Sequence, residues 1–229
     1  MDDKYYTEGN WYCIGNVIKR RHTYFFSSSH ERGLTELLEM WPQVREAIPD
    51  AVLHVGYGTY TASQMAKMRK DQQGLDAIRS IEQELHNTDG IVYHGRLNQW
   101  ELAKVQLTCE MWLYPYQHDP KWNGTPGFPE TYGITAVEAQ AARAIPFTRL
   151  NAGLLETVKN SIEWTKEMTT SDVIKRLKNP SKYFTKDQLE DNYNWAMKQT
   201  WAALAKEWLM RFILSPQPTK KELELTGVK

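Results

Sequence analysis

Short apolar runs that favour strands alternate with longer helical stretches along this chain of 229 residues, and few folds accommodate that order. Thr23-Tyr24-Phe25-Phe26, Ala51 to Val55, Ile91 to His94, Met111 to Tyr114 and Ile145 to Thr148 read as buried strands. Leu34, Leu37, Leu38 and Trp41 recur at helical spacing, with Pro42 expected to kink or restart that helix. Residues 62 to 86 are helical as well, Leu75, Ile78, Ile81 and Leu85 forming one stripe and Gly74 the expected interruption. Glu101 opens another helix and Leu154 to Val158 a short one. Trp201, Leu204, Ala205, Trp208 and Phe212 mark the last, with its tryptophans expected in the core. The pattern predicts an α/β fold, a Rossmann-like parallel sheet with helices on both faces, plus a C-terminal helix. Residues 1–22 read as an N-terminal arm, 23–215 as the domain and 216–229 as a polar tail. Ligands of such sheets bind at the carboxyl ends of the strands, and the turns after Phe26, Val55, His94 and Pro115 all fall on that edge.

One stretch on that edge has chemistry at a defined spacing: Glu130-Thr131-Tyr132-Gly133-Ile134-Thr135-Ala136-Val137-Glu138. The helix formers Ala139, Ala141 and Ala142 follow, so Glu130 sits just before a helix and Gly133 lets the backbone approach a ligand. The first N–H groups of that helix, at Ile134 and Thr135, point outward at the positive end of its dipole, where a phosphate is stabilised. Glu138 lies about 12 Å from Glu130 if all the residues between are helical, too far to share a proton but suited to the two ends of an elongated ligand. On spacing alone, an ordinary surface helix with two solvated glutamates is the commoner reading.

Ser27-Ser28-Ser29-His30-Glu31-Arg32-Gly33 joins the first strand to its helix, and either cradles an anion with Arg32 as cation or simply caps the helix by serine. Gly56-Tyr57-Gly58 lacks the third glycine of a dinucleotide fingerprint and more simply lets the chain turn close to a neighbour or ligand. Residues 116 to 129 form a loop long enough to be a binding loop or a lid. His30 and His94 stand at strand ends and His118 in that loop, each better read as solvated or core-satisfied. No histidine pair at helical spacing, HExxH, CxxC or Asp-x-Asp motif occurs, so no metal site is expected. Lysine plus arginine equals aspartate plus glutamate at 28 each, which argues against a nucleic-acid surface despite nine tryptophans and twelve tyrosines. Isolated Cys13 and Cys109 suit a reducing compartment. No apolar run reaches membrane-spanning length and the first residues are not a signal peptide, so the expected location is cytoplasmic, without a transmembrane segment.

The residues also carry a resemblance. Glu130-x7-Glu138, preceded by Trp112-Leu113-Tyr114-Pro115 and followed by Ala139-x-Ala141-Ala142-x-x-Ile145-Pro146, resembles retaining glycosyltransferases of family four. Ser28-Ser29-x-x-Arg32-Gly33-Leu34, Val92-x-x-Gly95-Arg96-Leu97 with Glu101-Leu102, and Gly153-x-x-Glu156-Thr157-Val158 match in the same order, over about residues 23 to 160. The part resembled is the C-terminal, donor-binding half of the two-domain GT-B fold.

The resemblance implies that Glu130 contacts the donor sugar near the reacting centre and is the catalytic position. It implies that Glu138 holds the ribose hydroxyls, and that Gly133, Ile134 and Thr135, with Tyr132 beside them, meet the diphosphate. Arg32 would neutralise that diphosphate, Arg96 and Leu97 would lie at the base, and Ser29 is a further donor-binding position. The implied substrate is a UDP- or GDP-linked sugar, transferred with retention and without cofactor or metal. The sequence departs from the family at Ser27, where an arginine is usual, at Arg143, where a glycine is usual, and at Ala152-Gly153, in place of Gly-Gly. Nothing resembles an acceptor-binding domain, so that half is expected from elsewhere in a longer chain or from a partner chain. The alternative is a non-catalytic nucleotide or sugar-nucleotide binding module acting through a partner.

Overall fold

The computed structural model describes residues 11–14, 16–115 and 130–214. The chain divides into two units, Met1–Ala196 and Met197–Lys229. Among the described residues the first unit holds a seven-stranded sheet: β1 (Trp11–Ile14), β2 (Val17–Ser29), β3 (Val52–Gly58), β4 (Ile91–Gly95), β5 (Cys109–Tyr114), β6 (Ile145–Thr148) and β7 (Ile162–Glu163). Its order is β4-β3-β2-β5-β6-β7, all parallel, with β1 antiparallel to the first part of β2. The helices are α1 (Leu34–Ala47), α2 (Tyr60–Arg69), α3 (Gln72–Asn87), α4 (Gln99–Thr108), α5 (Ile134–Ala141), α6 (Leu154–Thr157), α7 (Thr170–Lys178) and α8 (Lys186–Ala196). They fall into two packed groups, α1, α2, α3 and α7 in one and α4, α5, α6 and α8 in the other. This is the expected Rossmann-like sheet with both faces covered. Double coverage explains why Tyr24, Phe25 and Phe26 of β2 and Met111, Trp112 and Leu113 of β5 are unbroken apolar runs, every one buried.

The strand order reverses between β2 and β5, which places a crevice at their carboxyl ends. The register aligns Ser27, Ser28 and Ser29 with Gly56, Tyr57 and Gly58, and Gly56 with Gly95. The turns predicted to share one edge therefore do so, apart from the residues 116–129 loop with His118, which lies outside the described residues.

Three expectations are corrected. The 1–22 arm is in part sheet, since Trp11–Ile14 pairs with Val17 to Arg20. Lys19 and Arg20 hide the strand pattern there: both are fully buried, their charges met by main-chain and hydroxyl oxygens. Gly74 does not interrupt the 62–86 helix. The break is at Lys70, which caps α2 in a left-handed conformation, and at Asp71, whose side chain accepts from the Gly74 N–H and starts α3. Pro42 lies inside α1, which continues past it, so of the two expected outcomes the helix is not restarted there. In the second unit, α9 (Trp201–Leu214) forms as expected, but Trp201 (73 % exposed) and Trp208 (66 %) are not core residues. Periodicity specifies a face, not what meets it. No described helix is long and apolar enough to cross a membrane.

Lys19 Nζ donates to the carbonyls of Gln106 (3.0 Å) and Cys109 (2.7 Å), closing the last turn of α4 against β2. Burial pulls its pKa from the ordinary 10.5 to about 7. Between those values the unfolded chain holds a proton that the folded chain has released, so stability rises with pH across that window. Cys109 works in the opposite sense above pH 9, because burial pushes its thiol from 9.0 to about 12 and the folded chain keeps that proton longer. From pH 7 to 9 we expect unfolding free energy to rise by on the order of 2 kcal/mol. Urea titrations at those pH values should show the rise in wild type and a flat response in Lys19→Met; a rise retained in the variant would exclude Lys19 as its source.

Candidate functional site

A cleft of about 430 Å³ opens at the carboxyl edge where the strand order reverses. Ser27, Ser28 and Ser29 at the end of β2 line it with Arg32 from the following 3-10 turn (His30–Arg32), Gly56 and Tyr57 of β3, and Arg96 and Leu97 after β4. Gln99 and Leu102 of α4 close one side, and Glu130, Ile134, Thr135 and Glu138 the other. Of the predicted site residues, Ser29, Arg32, Arg96, Leu97, Glu130, Ile134, Thr135 and Glu138 are thus brought together. Tyr132 and Gly133 do not line the cleft.

Glu130 is held from three directions. Its Oε2 accepts from the Tyr114 hydroxyl (2.8 Å) and lies 3.6 Å from Arg32 Nη1, while its Oε1 accepts from the Gly133 N–H (3.0 Å). Burial first, then the Glu130 carboxylate, push the Tyr114 pKa up, so the phenol stays a donor. The Gly133 bond corrects an expectation: that N–H is taken by Glu130 and does not point at a ligand. Gly133 is needed for its conformation, a left-handed φ of 68° at the N-cap of α5. Gly153 is needed for space, because a Cβ there would lie 2.3 Å from the Thr131 carbonyl oxygen. Its N–H donates to the Glu130 carbonyl at 2.8 Å, so the turn before α6 supports the main chain under Glu130.

The first N–H groups of α5, at Ile134 and Thr135, have no helical carbonyl to bond and belong to residues that line the cleft. The Thr135 hydroxyl reaches the Ser27 carbonyl at 3.3 Å, tying that helix start to β2. One turn along, Glu138 Oε2 accepts from Gln106 Nε2 at 3.3 Å. Burial raises the Glu138 pKa and the Gln106 bond opposes the rise. At the far side Arg96 lies over the Tyr60 ring, 5.5 Å from its centroid. His94 does not serve the cleft as a lone group: its Nε2 is 2.8 Å from His54 Nδ1, and burial holds His54 neutral by lowering its pKa to about 3. His30 Nδ1 faces Glu31 at 3.1 Å. Among the described residues no three His, Cys, Asp or Glu side chains are grouped to hold a metal.

The departures at the site are visible too. Ser27 leaves its Oγ buried without a hydrogen-bond partner among the described residues. Arg143 adopts the left-handed φ (54°) that suits the usual glycine, offset by a two-pronged pair with Glu190 (3.1 Å each) and stacking on Tyr193 at 3.5 Å. Sequence reading missed Tyr114 as a partner of Glu130 and Gln106 as a partner of Glu138. Gln99, Leu102 and Gln106 are spaced i, i+3, i+7, and that spacing was the available signal for Gln106. Chemically, the α5 N-terminus and Arg32 favour an anion in the middle of the cleft, while Glu130 and Glu138 offer acceptors to hydroxyl groups.

Comparison with known proteins agrees with this geometry. The family model for glycosyl transferases group 1 matches residues 21–200. No curated protein matches the chain by sequence. Among solved structures, Anabaena HepE in complex with UDP-glucose aligns with a TM-score of 0.58 at 12% identity, over 83% of this chain and 47% of that one. The pneumococcal O-GlcNAc transferase GtfA in complex with UDP and GlcNAc gives 0.52 at 12% identity, over 84% of this chain and 35% of that one. The catalytic domain of starch synthase IV from Arabidopsis thaliana, bound to ADP and acarbose, gives 0.53 at 12% identity, over 83% and 37%. At such identities the likeness is one of fold, and the chain spans between about a third and a half of those structures.

Proposed function

The chain belongs to the glycosyl transferases group 1 family, and from that premise we propose that it is the donor-binding half of a retaining, metal-independent glycosyltransferase acting on a UDP- or GDP-linked sugar. The observation that carries the reading is the convergence of an open helix N-terminus, Arg32 and two glutamates in one cleft at the strand-order reversal. The diphosphate sits at Ile134 and Thr135 of α5 with Ser29 and Arg32 beside it. Glu138 accepts from the ribose hydroxyls, the Arg96–Leu97 turn meets the base, and Glu130 meets the sugar near its anomeric carbon. As the sugar leaves, charge builds on the diphosphate, where Arg32 and the helix dipole are already aimed. The acceptor is supplied across the cleft by a half that this stretch does not resemble.

The second reading, a binding module without transfer, is favoured by Ser27, which stands where the family usually has a cation. Both readings require nucleotide binding. Calorimetry against UDP, GDP and ADP is expected to show saturable binding of one of them. Glu138→Ala should weaken it by about 2 kcal/mol, roughly 30-fold, for the loss of hydrogen bonds to a charged acceptor. Absence of binding to all three would overturn both readings. Release of free sugar from the donor, or its transfer, would then separate catalysis from binding.

A further inference from the structure

Glu138 is not supported by its own helix alone. On α4, Gln99 and Leu102 line the cleft, and Gln106, one further step along the same face, lies beneath Glu138. Gln106 is 4 % exposed, and its side-chain amide reaches Glu138 Oε2 at 3.3 Å. Its main chain is fixed as well, because Lys19 Nζ donates to the Gln106 carbonyl at 3.0 Å and to that of Cys109 at 2.7 Å. The last turn of α4 is thereby pinned to the central strand β2, which fixes where the buried amide starts from. A neutral donor in this place orients a carboxylate without neutralising it. One bond at Oε2 leaves most of the four acceptor sites of the carboxylate for a ligand.

We propose that Gln106 is a positioning residue that sets the Glu138 carboxylate toward the vicinal ribose hydroxyls of the nucleotide. This rests on the donor-binding reading given above. The effect is confined to the ribose, because among the described residues the Gln106 side chain bonds Glu138 and no residue at the phosphate end.

The test compares UDP, or GDP if that is what wild type binds, with its 2′,3′-dideoxy counterpart. Calorimetry is run on wild type, Glu138→Gln, Gln106→Leu and Gln106→Met, both Gln106 variants removing the donor and the last keeping nearly the length of the side chain. Wild type should prefer the ribonucleotide by roughly 30-fold. Both Gln106 variants should lose about tenfold in ribonucleotide affinity and leave dideoxynucleotide affinity within about twofold. Equal weakening of both ligands would assign Gln106 a purely structural role and overturn the proposal, as would unchanged binding in a Gln106 variant whose thermal unfolding remains cooperative. If wild type binds neither nucleotide, the donor-binding reading itself falls. If Glu138→Gln loses the ribose preference and the Gln106 variants keep it, only the present proposal falls.

Discussion

Gly153→Ala is expected to lower the unfolding free energy by about 3 kcal/mol, and with it the ability to hold Glu130 in place. The added carbon would lie 2.3 Å from the Thr131 carbonyl oxygen, 2.6 Å from its carbon and 2.8 Å from the Glu130 carbonyl oxygen. All three are main-chain atoms, so no rotamer change relieves the contact. Either the turn before α6 or the segment entering α5 must move. Moving them breaks the Gly153 N–H bond to the Glu130 carbonyl and disturbs the Glu130 bond to the Gly133 N–H. Gly133 is a softer case in space, since its nearest obstacle is the Leu154 Cδ2 at 2.7 Å, the end of a side chain that can turn. For a domain of this size a loss of about 3 kcal/mol corresponds to a drop of roughly 6–12 °C in melting temperature. Thermal melts of the two proteins decide it: an unchanged midpoint would mean that Gly153 does not lie against Thr131.

Residues explain why some of this was legible in the sequence and some was not. Phe26, Val55 and Tyr114 end apolar runs that are each followed by turn residues, and a parallel sheet sends every such turn to one edge. That local rule is enough to expect a cleft at this edge, whereas the eight predicted site residues that line it follow from the resemblance. The Glu130 to Glu138 segment was legible because strand end, glycine, helix start and both carboxylates are contiguous in the chain. Their side-chain partners are not: Gln106 on α4 and Tyr114 at the end of β5 are separated in sequence from the glutamates they hold. Lys19 and Arg20 break any strand period in the first residues, because nothing local shows that carbonyls at the end of α4 and a hydroxyl on β2 will meet them. The Gly133 N–H looks free for a ligand in the sequence, which cannot show that the Glu130 side chain folds back on it. β7 contains two residues and has no period to read.

On the donor-binding reading, Arg32→Ala should weaken UDP or GDP binding by about 3 kcal/mol, roughly 100-fold, while the parent nucleoside binds nearly as before. Arg32 and Arg96 are the two cationic side chains among the described lining residues, and Arg96 is engaged over Tyr60 away from the α5 start. The position where the family usually supplies another cation is Ser27, so a larger share of the diphosphate charge falls on Arg32. Arg32 also stands 3.6 Å from Glu130 Oε2, and its removal leaves that carboxylate facing the diphosphate with no cation between them. Both effects act on charge alone and should shrink with salt, so the variant should also show a flatter salt dependence than wild type. Comparing nucleoside with nucleoside diphosphate isolates the phosphate end of the cleft. Equal weakening of the two would mean that Arg32 supports the turn after β2 rather than the ligand. An unchanged diphosphate affinity would move the anion site away from α5, leaving the helix N-terminus and its arginine as neighbours without a shared task.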